Sequence, residues 1–218
     1  MRVERGSAEL VGCEVSGPTC VEISGGDARP LLRRCILHDG AVGVRIAEGG
    51  EPTLEECRIF SQREAGVRVE SGASPTVRHC FVRGAARGIV LLDGGGTFDG
   101  CHIAQSGVTG VVLGGGSNPL LTSCTVVDGA GAGVVAEAGS LGTLRECTIA
   151  TNASDGVRVA AGGNPTVVRC TIEHNGGSGV TVARGGGGHI EGCSLAANDG
   201  KAWNVAWGSK TYRRWNRE

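Results

Sequence analysis

The chain of 218 residues carries 21 basic and 22 acidic side chains, a net charge of −1, 40 glycines and ten cysteines. So even a balance gives no electrostatic case for a nucleic-acid partner, and no apolar run reaches the length of a membrane span. The N-terminus, Met1-Arg2-Val3-Glu4-Arg5, lacks the apolar stretch of a secretory leader.

Met1-Arg2-Val3 aligns with Val67-Arg68-Val69, so the chain starts inside a repeat. An uncapped first coil leaves a sheet edge open. It is read either as the continuation of a longer protein or as a surface for end-to-end association. From there a cysteine recurs every 21 to 23 residues: Cys13, Cys35, Cys57, Cys80, Cys101, Cys124, Cys147, Cys170 and Cys193. A fixed period of this length marks a solenoid.

Each 22–23-residue unit holds three apolar segments. The first is Gly-Val-x-Val, as in Gly66-Val67-Arg68-Val69, whose alternation reads as a strand with two inward side chains. A glycine-rich turn follows, then Pro-Thr-Val, as in Pro75-Thr76-Val77, then Cys-x-Ile, as in Cys57-Arg58-Ile59. Val77 and Cys80 lie an odd number of residues apart, so both can face inward only if a bend falls at Arg78-His79. The predicted fold is all-β: a right-handed parallel β-helix of about nine coils with three short strands per coil. Residues 1–200 form the repeats and 201–218 an aromatic, basic cap.

The cysteines lack Cys-x-x-Cys pairs or histidine partners for a metal. In-register side chains also point the wrong way for disulfides. They read as a column of buried thiols acting as small hydrophobes, and free thiols favour a reducing, cytoplasmic location. Cys20 lies off the column, at the glycine position before a strand, and is expected to be partly exposed.

In the cap, Trp203 replaces an inward valine, and Trp207 shares its parity, so both are expected over the end of the core together with Trp215. The alternative is an aromatic surface with Arg213, Arg214 and Arg217 that stacks bases or sugars. Among outward columns, Arg33, Glu55 and Arg78 alternate in sign, as do Arg34, Glu56 and His79, which reads as cross-strand pairing. His38-Asp39 reads as a solvated turn, and His174 and His189 have no stacked acid. Thr125, Thr148 and Thr171 form an outward ladder next to His102, and Asn152, Asn175 and Asn198 an amide ladder. Val90, Val112 and Val135 take the slot that arginines fill elsewhere, which predicts an exposed apolar strip and a contact surface.

The repeat Gly-Val-x-Val, Gly-Gly-x-Pro-Thr-Val-x-x-Cys-x-Ile resembles the parallel β-helix repeats of the pectate-lyase-like superfamily. Gly162-Gly163-Asn164-Pro165-Thr166-Val167-Val168-Arg169-Cys170-Thr171-Ile172 is similar to its carbohydrate-binding and sugar-hydrolase type repeats, found in β-helix F-box proteins and bacterial β-helix modules. The acid and base motifs of the superfamily's lyases and epimerases are not recognised here. The reading is therefore a non-catalytic recognition or scaffold module of a larger intracellular protein, binding a protein partner along the valine strip. The alternative is a carbohydrate-active protein that binds or cleaves an acidic polysaccharide. No metal or cofactor is expected.

Overall fold

The computed structural model describes residues 1–218, as strands joined by turns. Each coil visits three sheets in turn. Sheet I collects the Gly-Val-x-Val segments in ten strands, from Arg2–Val3 to Trp203–Val205. Sheet II collects the Pro-Thr-Val segments in ten, from Glu9–Val11 to Lys210–Arg214. Sheet III collects the Cys-x-Ile segments in eight, from Glu14–Ser16 to Thr171–Glu173. Every pairing is parallel and joins a residue to its equivalent one repeat on, as in Val67 with Ile89, Val77 with Phe98 and Val82 with Ile103. About nine coils at roughly 4.8 Å make a rod of about 43 Å.

One residue makes the bend between sheets II and III. His79 has φ of 50°, and its equivalents Glu56, Ser123 and Glu146 have 53°, 51° and 55°. Arg78, expected to share the bend, stays in its strand. A single left-handed residue turns the chain and reverses parity, so Val77, Cys80 and Val82 all face the core. The repeated strain is offset because each bend is over-determined by strands on both sides.

Inside, each coil contributes the five expected positions, such as Val67, Val69, Val77, Cys80 and Val82, all buried in one continuous cluster. From Cys35 to Cys193 the column of thiols is buried and free, with Cys13 half-buried in the first coil. The Cys57 Sγ donates to the Leu32 carbonyl at 3.4 Å and the Cys124 Sγ to that of Phe98 at 3.4 Å. Asn152 donates to the Asn175 Oδ1 at 3.0 Å, and Asn175 to the Asn198 Oδ1 at 3.0 Å. Gln62 plays the same part earlier in the rod, accepting from the Gly40 amide at 3.0 Å.

The glycine before each sheet I strand also faces inward. A Cβ on Gly110 would overlap the Val126 Cγ1 and the Gly133 carbonyl. Cys20 holds this column in its coil, since Val21 pairs with Val44 after Gly43. It is therefore fully buried, contrary to the exposure expected from its place off the ladder. Burial pushes its thiol up.

The last segment also departs from expectation. Trp203 pairs with Val180 and packs on the core, as does Val205. The strand ends there, so the alternation that would have aimed Trp207 inward stops, and its ring is 86% exposed. Trp215 is 68% exposed. Lys210–Arg214 pairs with Gly187–Glu191, so the chain continues the coil and does not fold over its end.

Replacing Gly110 with alanine should cost on the order of 1–3 kcal/mol by overpacking. Gly26, where a Cβ meets nothing within 4 Å, should tolerate alanine within about 0.5 kcal/mol. Urea unfolding of the two variants checks the difference.

Candidate functional site

The outer face of sheet III carries the main interruption of the repeat. In Cys-x-Ile-x the two x positions point outward, and in most coils they are small or polar. Around the third to fifth coils they become large. One column runs Arg58, Phe81 and His102, and the next runs His38, Phe60 and Arg83.

Phe60 is 36% exposed and Phe81 46%. The His102 ring stacks on Phe81 with centroids 4.3 Å apart, and the His38 ring on Phe60 at 5.4 Å. Arg58, Phe60, Phe81, Arg83 and Gln105 line a recess of about 560 Å³. Its floor is apolar ring face, and its rim is guanidinium. Arg83 is held by its Nε donating to the Gln105 Oε1 at 2.7 Å, whereas Arg58 is exposed and free of ion pairs.

His38 is fixed from both ends. Its Nδ1 lies 2.8 Å from the Asp39 Oδ2 and its Nε2 2.9 Å from the Glu14 Oε1. A carboxylate on each nitrogen favours the form in which both nitrogens donate, and so stabilises an imidazolium beside Phe60. Asp39 and then Glu14 hold it protonated above the usual histidine range. His38-Asp39 is thus an ion-paired turn that positions a cation, a closer association than a solvated loop. A base with both nitrogens engaged has no free lone pair, so His38 supplies charge and stacking and not proton abstraction.

Elsewhere the outward columns follow the pairing logic unevenly. Arg33 pairs with Glu55 at 2.9 Å and Arg78 approaches Glu55 at 4.0 Å. Arg34, Glu56 and His79 sit on the left-handed bend and form no ion pairs. His189 does have an acid partner, Glu191 at 2.6 Å, two residues along its own strand and not one coil away. Arg45 bridges Glu22 at 2.7 Å and Glu70 at 3.0 Å on sheet I. Although burial works the other way, Arg68 and then Arg45 hold Glu70 below the usual carboxylate range.

The valine strip is where the sequence reading fails. Val90, Val112 and Val135 do stand in register on sheet I. However, Val90 and Val112 are each only 6% exposed, in a small cluster with Ala65 and Leu92. Arg68, one coil before Val90 in the same column, and Arg87 and Glu137 in flanking columns line the opening, which is reduced to about 290 Å³. Val135 alone stays half-buried. The strip is a satellite core and not an exposed apolar face.

The family model for the right-handed β-helix region matches residues 2–96 and 76–216. The chain belongs to the right-handed β-helix family. No curated protein sequence matches it. Among solved structures, the periplasmic alginate epimerase AlgG superposes over 100% of this chain and 76% of its own, with a TM-score of 0.76 at 12% identity. The Azotobacter vinelandii mannuronan C-5 epimerase AlgE4 A-module matches over 89% of this chain and 63% of its own, with a TM-score of 0.61 at 16% identity. The Dettilon tailspike protein gp208 matches over 95% of this chain and 60% of its own, at 0.57 and 12%. At such identities the likeness is one of fold.

These neighbours correct the functional expectation. A non-catalytic scaffold for a protein partner had been inferred from the valine strip, which is covered. The structural neighbours of this β-helix include carbohydrate-active epimerases, so the alternative reading is the better supported one.

Phe60 and Phe81 were visible as aromatics but not singled out as a site. The signal was parity: both fall in outward slots, where an apolar ring has no core to enter. His38 provides the check on the geometry. Its titration by NMR should have a midpoint above the free value of about 6.5, and Asp39→Asn should move it down. A midpoint at or below the free value would show that the double contact does not hold in solution.

Proposed function

We propose that the protein is a carbohydrate-active β-helix that binds an acidic polysaccharide on the outer face of sheet III. The observation that carries this reading is the recess built by Arg58, Phe60, Phe81 and Arg83. Exposed ring faces suit the apolar C–H face of a pyranose, in the way rings with a wet rim suit interfaces generally. Guanidinium groups at the rim match carboxylates, which they grip with paired, charge-assisted hydrogen bonds. A neutral sugar would leave those cations unused. The volume, about 560 Å³, is within the usual range of small-ligand sites.

A charged His38 offsets one of the two carboxylates that clamp it, Glu14 and Asp39, and so limits the negative charge beside Phe60. Glu14 and Asp39 are both engaged by His38 beside Phe60, and no carboxylate lines the recess itself. Glycoside cleavage by acid and base needs two such groups facing one bond, so recognition is the reading adopted. The epimerases among the structural neighbours support the choice of a uronate polymer as the first ligand to test.

Uronate oligomers should bind with micromolar or tighter affinity in calorimetry, and neutral glucans of equal length should not. Phe81→Ala should weaken binding by about tenfold through loss of stacking, and Arg58→Ala should reduce its salt dependence. Raising the pH through the elevated His38 midpoint should weaken binding as the imidazolium charge is lost. Equal binding of neutral glucans, or no effect of Phe81→Ala in a folded variant, would remove this site. Appearance of unsaturated or epimerised product would move the reading from recognition to turnover.

A further inference from the structure

The column that holds Arg58 does not stop at the recess. It runs in unbroken register from Phe81 and His102 through Thr125, Thr148, Thr171 and Ser194 to Arg217. At its far end lies a second recess of about 470 Å³, lined among others by Arg169, Thr171, Ser194, Trp215 and Arg217. Trp215 has φ of 54° at the bend position that Glu56, His79 and Glu146 occupy in other coils. Those residues show that the bend needs no ring, and a tryptophan 68% exposed contributes little to the core. Its face is held by Arg214, whose guanidinium lies 3.7 Å from the ring centroid.

The same chemistry therefore occurs at both ends of one column: exposed ring, guanidinium and an open recess. The charges around the far recess are mixed, with Glu173 accepting from the hydroxyl of the lining Ser194. Arg169 is paired with Glu146 at 2.6 Å, but Arg217 is in no ion pair. Glu191, the carboxylate in the lining, is engaged by His189 at 2.6 Å. Between the recesses, the outward side chains of Thr125, Thr148 and Thr171 offer one hydroxyl per coil.

We infer that this recess at Trp215 and Arg217 is a second subsite for the acidic polymer, which lies along the rod with the hydroxyl column between its two anchors. The inference rests on the polysaccharide reading of the Phe81 recess. Seven coil steps of roughly 4.8 Å separate Arg58 from Arg217 by about 34 Å. A 4-linked pyranose advances its polymer by about one coil spacing, so successive sugars meet successive hydroxyls. Two weak anchors on one chain multiply through effective concentration, provided the chain is long enough to reach both.

The experiment compares a uronate trimer with a uronate decamer by calorimetry, and follows tryptophan fluorescence on titration. The decamer should bind at least tenfold tighter than the trimer and should quench or shift the tryptophan emission. Trp215→Ala combined with Arg217→Ala should bring the decamer down to trimer affinity and leave trimer binding unchanged. Phe81→Ala should weaken both oligomers. Circular dichroism and thermal melting confirm that each variant is folded, which the exposure of these side chains favours.

Equal affinity for trimer and decamer, with Phe81→Ala still weakening both, would overturn the second subsite and leave the first intact. Unchanged binding in Phe81→Ala would overturn the reading beneath it, and the second subsite with it. A single-stranded nucleic acid of matched charge that binds the Trp215 recess as tightly as the decamer would overturn the sugar assignment.

Discussion

In-register stacking of equivalent residues is the constraint on which everything else in this protein depends. A coil has no core of its own; it buries its five inward side chains only against the coils above and below. A slip of one residue would turn the inward positions of each coil out to solvent. The glycine of Gly-Val-x-Val supports the register, because from Gly43 to Gly156 a Cβ there would overlap the aliphatic side chains of sheet III, Cys20 being the exception in an earlier coil. The left-handed bend does the same between sheets II and III, keeping valine and cysteine on one side despite their odd separation. The cysteines are part of this constraint and not a chemistry of their own: small, apolar, and weakly bonded to carbonyls of the preceding coil.

Once the inside is so repetitive, individuality is left to the outward slots. A rigid rod presents those slots as straight columns, which suits a ligand that is itself a repeating chain. The Phe60 and Phe81 rings stay out of the core because the register forbids them to enter it, and stacked histidines rigidify them. Guanidinium groups flank the rings without carboxylate partners of their own at Arg58 and Arg217. This is a different use of arginine from that on sheet I, where Arg45 and Arg68 are consumed by Glu22 and Glu70. Free cations beside open rings stay available to a ligand, whereas paired cations hold neighbouring coils together.

Two expectations gave way. The valines at 90, 112 and 135 looked exposed, yet the stem of Arg68 one coil earlier in their column and those of Arg87 and Glu137 in neighbouring columns help bury them. Trp207 looked inward because its parity was extended past Val205, where the strand has ended and parity no longer applies. Cys20, at the glycine position and expected to be partly exposed, is buried in the first coils. In each case the burial of a side chain depended on structure outside its own column.

The sequence by itself determined the coil. Its period, the three strands, the odd spacing that demands a bend, and the five inward positions all follow from local alternation and hold throughout the rod. The threonine and asparagine ladders were legible for the same reason, since a constant period converts sequence spacing directly into contact. Only the tertiary structure decided what the surface offers. Whether a ring is open, an arginine is free or a valine is covered depends on side chains from separate columns and their rotamers, and no single repeat encodes that. His38 shows the difference: its neighbour Asp39 is adjacent in the chain, but Glu14, which completes its clamp, comes from the coil below.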